Sequence, residues 1–219
     1  MRGLALILVL LLLVPLAHAQ SLDETLQDCP GIILQGDTDT QQIHLQMTDN
    51  PTEMSVIWAT GGRSVSEIVE YRWDTGVGEE DAENYCYGNH NMAFHMATMT
   101  GLPLGEEIEY RVGTQNSDLS EWFNFTTIDP SANHFEWISI GDHGDSSQAL
   151  EVTDAIIADE YAQMVTISGD IAYADGEQSA WDNWFQEQQD SMTRIPWVTA
   201  VGNHENEPGY GFAPYEHRF

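Results

Sequence analysis

Three short apolar runs, each stopping at a glycine followed by an acid or an amide, constrain this chain more than any other feature. Trp137-Ile138-Ser139-Ile140 runs into Gly141-Asp142-His143-Gly144, and Val165-Thr166-Ile167-Ser168 into Gly169-Asp170-Ile171-Ala172-Tyr173. Trp197-Val198-Thr199-Ala200-Val201 runs into Gly202-Asn203-His204-Glu205. Such a run reads as a buried strand that delivers a tight turn. Between the runs, Ser147 to Gln163 carries Leu150, Ala155, Ile156, Ile157 and Tyr161 at helical spacing, and Ser179 to Met192 sets Trp181, Trp184 and Phe185 on one helical face. The order β-α-β-α-β predicts a parallel sheet with right-handed crossovers. Ligands of such sheets gather beyond the carboxyl ends of the strands. There this chain places two carboxylates, a phenol, an amide and an imidazole.

Upstream the pattern changes. From about Gln41 to Thr127 short alternating segments follow one another, including Ile43–Met47, Met54–Trp58, Ile68–Trp73, His95–Met99, Ile108–Val112 and Trp122–Phe125. Turn residues separate them at Asp49-Asn50-Pro51, Gly61-Gly62, Gly76-Val77-Gly78 and Gly101-Leu102-Pro103. Regular short strands with turn signals predict an antiparallel β-sandwich, here of fibronectin type III-like character. The expected fold class is therefore β plus α/β: a sandwich over 20–130, then a βαβαβ unit over 131–219.

The first residues, Met1-Arg2-Gly3, an apolar run from Leu4 to Leu16 and Ala17-His18-Ala19, read as a secretory signal spanning 1–19. A retained anchor is the alternative, but the run is short of the roughly 20 apolar residues a membrane span needs. Secretion, or delivery to a vacuolar or lysosomal lumen, is the expectation. With 36 acidic and 6 basic residues the formal charge is −30, which repels nucleic acid and anionic membranes alike and excludes both as partners. Cys29 and Cys86 are compatible with one intradomain disulfide or with bonds to other chains. Asn124-Phe125-Thr126 is an acceptable N-glycosylation sequon, whereas Asn50-Pro51-Thr52 carries the forbidden proline.

Taken singly, Asp142 and Asp170 are ordinary turn formers. Three such strand ends in series point instead to metal. A hydrolytic site with two cations about 3.5–4 Å apart needs a carboxylate between them and hard oxygen donors around them. Asp170 takes the bridge, Asp142 one side and Asn203 the other. Tyr173 as a ligand must be a phenolate, which a strongly Lewis-acidic ion such as Fe(III) stabilises well below the free pKa of about 10. His204, adjacent to Asn203, is read as a proton donor to the substrate rather than as a ligand. His143 points away from the position Asp142 takes and is expected to be a surface loop residue. Glu205 is expected to hydrogen-bond nearby histidines.

These residues resemble the metallophosphoesterase superfamily, and specifically the purple acid phosphatases, whose five blocks are D-x-G, G-D-x-x-Y, G-N-H-[DE], V-x-x-H and G-H-x-H. Asp142-His143-Gly144, Gly169 to Tyr173 and Gly202 to Glu205 match the first three. Gln41 to Leu45, Met54 to Trp58 and Ile108 to Gly113 are similar to the N-terminal domain of the plant-type, high-molecular-weight members. The resemblance implies Fe(III) at Asp142 and Tyr173, a bridge at Asp170, a divalent ion (Zn, Mn or Fe) at Asn203, and His204 against the substrate phosphate. It implies an acid phosphatase that hydrolyses phosphate monoesters by attack of a metal-bound hydroxide, and a homodimer. A phosphodiesterase or nucleotide pyrophosphatase on the same scaffold is the alternative enzyme. The last two blocks do not follow Glu205, so three histidine ligands have no counterpart. The expectation is an N-terminal part of a longer enzyme, inactive by itself; the alternative is an inactive β-sandwich interaction protein.

Overall fold

Alternation builds the first half. The computed structural model describes residues 39–61, 66–88, 90 and 92–219; the proposed signal at 1–19 and Cys29 lie outside the described residues. Eight strands, β1 (Gln41–Met47), β2 (Met54–Thr60), β3 (Glu67–Trp73), β4 (Gly76–Asp81), β5 (Glu83–Tyr85), β6 (Ala93–Met99), β7 (Glu107–Thr114) and β8 (Phe123–Thr126), form two antiparallel sheets. One has the order β1-β2-β6-β5 and the other β4-β3-β7-β8. Ile43, Leu45, Val56, Trp58, Val69, Tyr71, Tyr110, Val112 and Phe125 fill the space between them. The Trp58 indole is buried without penalty because its Nε1 donates to Glu67 at 2.9 Å.

The expected turn at Gly76-Val77-Gly78 is instead the start of β4, and the chain reverses at Asp74-Thr75. Trp73 pairs with Gly76 and Tyr71 with Gly78 across the hairpin. A β-carbon at either glycine would collide with the partner ring, so the glycines mark aromatic coverage within a strand rather than a turn. Cys86, just past β5, is disulfide-bonded.

The second half is the parallel sheet β11-β10-β9, from β9 (Trp137–Ile140), β10 (Met164–Ile167) and β11 (Trp197–Thr199). Helices α1 (Ser147–Ala158) and α2 (Gln178–Met192) supply the crossovers, and a short α3 (Ala213–Glu216) follows. Ile156 of α1 and Trp181, Trp184 and Phe185 of α2 bury Val165, Ile167 and Trp197 on one face of the sheet. On its other face Trp137 and Val198 are 57% and 41% exposed. The helical reading to Gln163 overshoots. Helix α1 ends at Ala158 because the Asp159 carboxylate accepts the amides of Tyr161 and Ala162 at 2.8 and 2.7 Å. Its buried face is Ala149, Thr153 and Ile156, while Leu150 and Tyr161 are exposed. Among the described residues no helix is long and apolar enough to cross a membrane.

The two halves are stitched together along β1. Alternation there sends Ile43 and Leu45 into the sandwich and leaves His44 and Gln46 on the opposite side, which helix α2 and the C-terminal residues cover. Polar groups in that layer are paired. Gln189 of α2 accepts the Ile43 amide at 2.9 Å, and Gln46 donates to the Phe219 carbonyl at 2.5 Å. Tyr110 donates to the Thr193 carbonyl at 2.8 Å. Arg218, fully buried, donates to Asp182 at 2.8 Å, to Gln42 at 2.6 Å and to the Tyr87 hydroxyl at 3.1 Å. A register shift in β1 between Gln41 and His44, with Gln42 at a φ of 59°, turns the Gln42 side chain into this layer.

Candidate metal centre

The three strands end side by side and hand their turns to one another. The amides of Asp142, His143 and Gly144 donate to the carbonyls of Gly169, Asp170 and Ile171 at 3.2, 3.0 and 2.8 Å. The β10 and β11 turns are equally close: a β-carbon on Gly202 would collide with the Asp170 carboxylate, and one on Gly169 with the Gly202 backbone. The glycines of the second and third motifs are therefore set by the approach of the neighbouring loop.

Asp142, Asp170, Tyr173 and Asp175 all adopt left-handed backbone, with φ of 50 to 52°. Aspartate tolerates this conformation through its short side chain, but a ring-bearing residue is strained there by about 1–2 kcal/mol. Among the described non-glycine residues only Gln42 and Asn116 share this conformation. Left-handed backbone concentrated at strand ends that also carry acids makes these turns a candidate functional site.

The side chains converge in pairs. The Tyr173 hydroxyl donates to Asp142 Oδ1 at 2.7 Å, and its ring lies 4.3 Å from the His204 ring. The His204 amide donates to Asp170 Oδ1 at 3.0 Å, and His204 Nδ1 meets Asp175 Oδ1 at 2.7 Å. Asn203 stands exposed on the same loop, with its carbonyl accepting from Asn206 at 3.3 Å. The bond to Asp142 and burial push the Tyr173 phenol up to about 12, with the Asp142, Asp170 and Glu205 charges adding to them. The Asp175 hydrogen bond raises His204 above its ordinary value, against some desolvation, so the imidazolium is favoured. Asp175 is absent from the sequence reading; its signal was a second acid on the same glycine-led turn, two residues past Tyr173.

His143 does face away from Asp142, but it is buried rather than on the surface. Its Nδ1 lies 3.0 Å from both the Trp184 indole N–H and the Gly144 carbonyl, and its Nε2 lies 3.4 Å from the Thr153 hydroxyl. Burial lowers its pKa and keeps the ring neutral. Glu205 binds no histidine. It is wholly buried and accepts the backbone amides of Asp170, Ile171 and Gly202 at 2.8, 2.8 and 2.6 Å.

The donor chemistry fits one hard cation. Asp142 and Tyr173 touch, and Asp170 adjoins them with only one carboxylate oxygen engaged, by the His204 amide. Oxygen donors of this kind suit a highly charged ion that displaces the phenol proton. A second cation is less well served, since Asn203 and one shared carboxylate lack the imidazoles that hold borderline metals. Among the described residues no three His, Cys, Asp or Glu side chains lie together where they could hold a metal ion, so the hard-cation set depends on the Tyr173 oxygen.

Residues 40–127 match the model of the purple acid phosphatase N-terminal domain, and residues 133–219 that of the calcineurin-like phosphoesterases. Purple acid phosphatase 22 of Arabidopsis thaliana is 26% identical over 215 residues, covering 94% of this chain and 48% of that protein. Phosphoenolpyruvate phosphatase of Allium cepa is 26% identical over 178 residues, covering 76% of this chain and 37% of that protein. A purple acid phosphatase from yellow lupin (Lupinus luteus) seeds shares the fold with a TM-score of 0.72 at 21% identity, over 83% of this chain and 40% of the lupin chain. This chain thus spans about half the length, or less, of the curated relatives it matches.

Proposed function

This chain belongs to the purple acid phosphatase family, and from that premise we propose that its protein hydrolyses phosphate monoesters at a centre holding Fe(III) and a divalent ion (Zn, Mn or Fe). One observation carries the reading: three parallel strand ends bring Asp142 onto Tyr173 and His204 onto Asp170 within hydrogen-bond distance. Asp142, Tyr173 and Asp170 would hold the ferric ion, with Asp170 shared and Asn203 serving the divalent one. When bound, the metals supply Lewis-acid charge to the phosphate oxygens.

The chain's own residues do the rest. Asp175 occupies His204 Nδ1 and favours the protonated ring, so His204 Nε2 is the nitrogen that faces substrate and donates a proton to the leaving oxygen. The His204 amide on Asp170 fixes the ring relative to the shared carboxylate. Tyr173 packs against that ring at a tilt and limits its swing. Entry into the secretory pathway is part of the same reading, supported by the apolar run after Arg2, and so is a glycan on Asn124, supported by the sequon and by the exposure of that residue on β8.

The test is phosphate release by the purified, iron- and zinc-supplied protein from a phosphomonoester and from a phosphodiester. Monoester turnover that disappears in Asp170→Asn is expected. Diester turnover exceeding monoester turnover would move the assignment to the phosphodiesterases, and metal-independent turnover would remove it altogether.

A further inference from the structure

A buried carboxylate that accepts three backbone amides from two loops is an organiser of those loops, and Glu205 is one. Its Oε1 takes the Ile171 amide, while its Oε2 takes Asp170 and Gly202. Asp170 is the carboxylate proposed to be shared by both metals, and Gly202 directly precedes Asn203. The bonds also cross: the Glu205 carboxylate holds the Asp170 amide, and the His204 amide holds the Asp170 carboxylate. Neither loop can shift along its strand axis without breaking bonds of both kinds.

Glu207, two residues on, offers a matched comparison. It is also buried, and its carboxylate also accepts three N–H groups, from Gly176 at 2.9 Å, Gln178 at 2.8 Å and the Trp181 indole at 2.5 Å. Those donors sit at the start of α2, and none belongs to a candidate ligand or to the peptide before one. The same loop therefore carries two equally buried carboxylates, one bonded to the site's peptides and one bonded to the helix behind it.

We propose that Glu205 is a positioning residue, whose carboxylate sets the spacing between the Asp170 loop and the Asn203–His204 loop, whereas Glu207 anchors the outer end of the Asp170 loop to α2. The proposal deepens the phosphatase reading and rests on it for its metal consequence. A charged acceptor is required because three converging amides need more acceptor capacity than a neutral amide oxygen offers. Glutamine in its place turns an NH₂ group toward at least one of the N–H donors.

The experiment compares Glu205→Gln, Glu205→Asp and Glu207→Gln in the full chain, by amide hydrogen exchange without metal and by Fe(III) binding. The reporter is the His204 amide, which bonds Asp170 and touches neither glutamate. In Glu205→Gln its exchange is expected to quicken by about tenfold or more, and Fe(III) affinity to fall by about 10–100-fold, the usual cost of losing an outer partner of a metal ligand. Glu205→Asp keeps the charge and should restore part of both. Glu207→Gln should quicken exchange near Gly176 and leave His204 and iron affinity within about threefold of wild type. Equal exchange at His204 in the Glu205 and Glu207 variants overturns the proposal, since both would then be merely structural. A wild-type chain that binds no Fe(III) but shows the expected exchange pattern sinks the phosphatase reading instead and supports the loop-spacing role.

Discussion

Tyr173 donates a 2.7 Å hydrogen bond to Asp142 across the gap between two strand ends. The phenol keeps its proton in this arrangement, and the bond raises its pKa, so iron must compete with a proton for this oxygen. Tyr173→Phe removes the oxygen and keeps the ring against His204. Its stability should change by less than about 1 kcal/mol, because Asp142 is exposed and water replaces the lost donor. The visible absorption of the iron-loaded protein should vanish. An absorption spectrum of the variant at matched iron content checks this; a retained band assigns the colour to another ligand.

Asp170 and His204 should separate by kind of loss. Asp170→Asn removes charge from the shared position and should cost both metals. His204→Ala should keep the metals and lower turnover by roughly 10²–10⁴, the range for a general acid. Metal analysis on the two purified variants decides it: an ion lost from the His204 variant would make that imidazole a ligand.

Stability should fall in acid for a reason unrelated to the site. Burial holds the His95 ring at about 4, between Asn84 at 2.5 Å and Thr60 at 2.9 Å, and holds His44 at about 4 as well. An unfolded histidine titrates near 6.5, so between these values the unfolded chain binds more protons and stability drops as pH falls. Each ring accounts for about 3 kcal/mol across that window at 1.36 kcal/mol per unit. His95→Gln should flatten the decline of Tm between about pH 6.5 and 4; an unchanged slope would show that His95 is already protonated in the fold.

Arg218→Met leaves Asp182 facing a buried seam without its cation. Removing one partner of such a pair costs about 3–5 kcal/mol, whereas replacing both is much milder. Adding Asp182→Asn to Arg218→Met should therefore recover part of the loss in urea unfolding. Additive losses would mean that Asp182, which is partly open to water, never depended on Arg218.

Much of this was legible from residues alone, where local rules and tertiary context agreed. The three parallel strands, the sandwich strands around Trp58 and Tyr110, and the aromatic face of α2 follow from periodicity. Local rules failed where a distant group decided the outcome. Gly76 and Gly78 read as a turn until the Tyr71 and Trp73 rings fill the space over them. His44 and Gln46 occupy what alternation marks as a solvent face, but α2 and Phe219 cover it. Spacing placed Asp142, Asp170, Tyr173 and His204 on neighbouring turns. It could not reveal that Glu205 would be spent on three amides or that Asp175 would take the His204 ring, since both pairings span about thirty residues.

The stitching of β1 to α2 bears on how such a protein can be taken apart and recombined. A β-sandwich joined to its neighbour by a flexible tether can be exchanged for another, as beads are on a string. Here Gln42, reached by the irregularity in β1, shares Arg218 with Asp182, and Tyr87 of the sandwich holds the same guanidinium. A graft that replaced the sandwich with a foreign one would take Gln42 and Tyr87 from that cation and leave it only Asp182, beside Trp181 and Phe185. The sandwich and the α/β half thus behave as one block, and shuffling should respect a junction drawn through Arg218 rather than one drawn along the sequence.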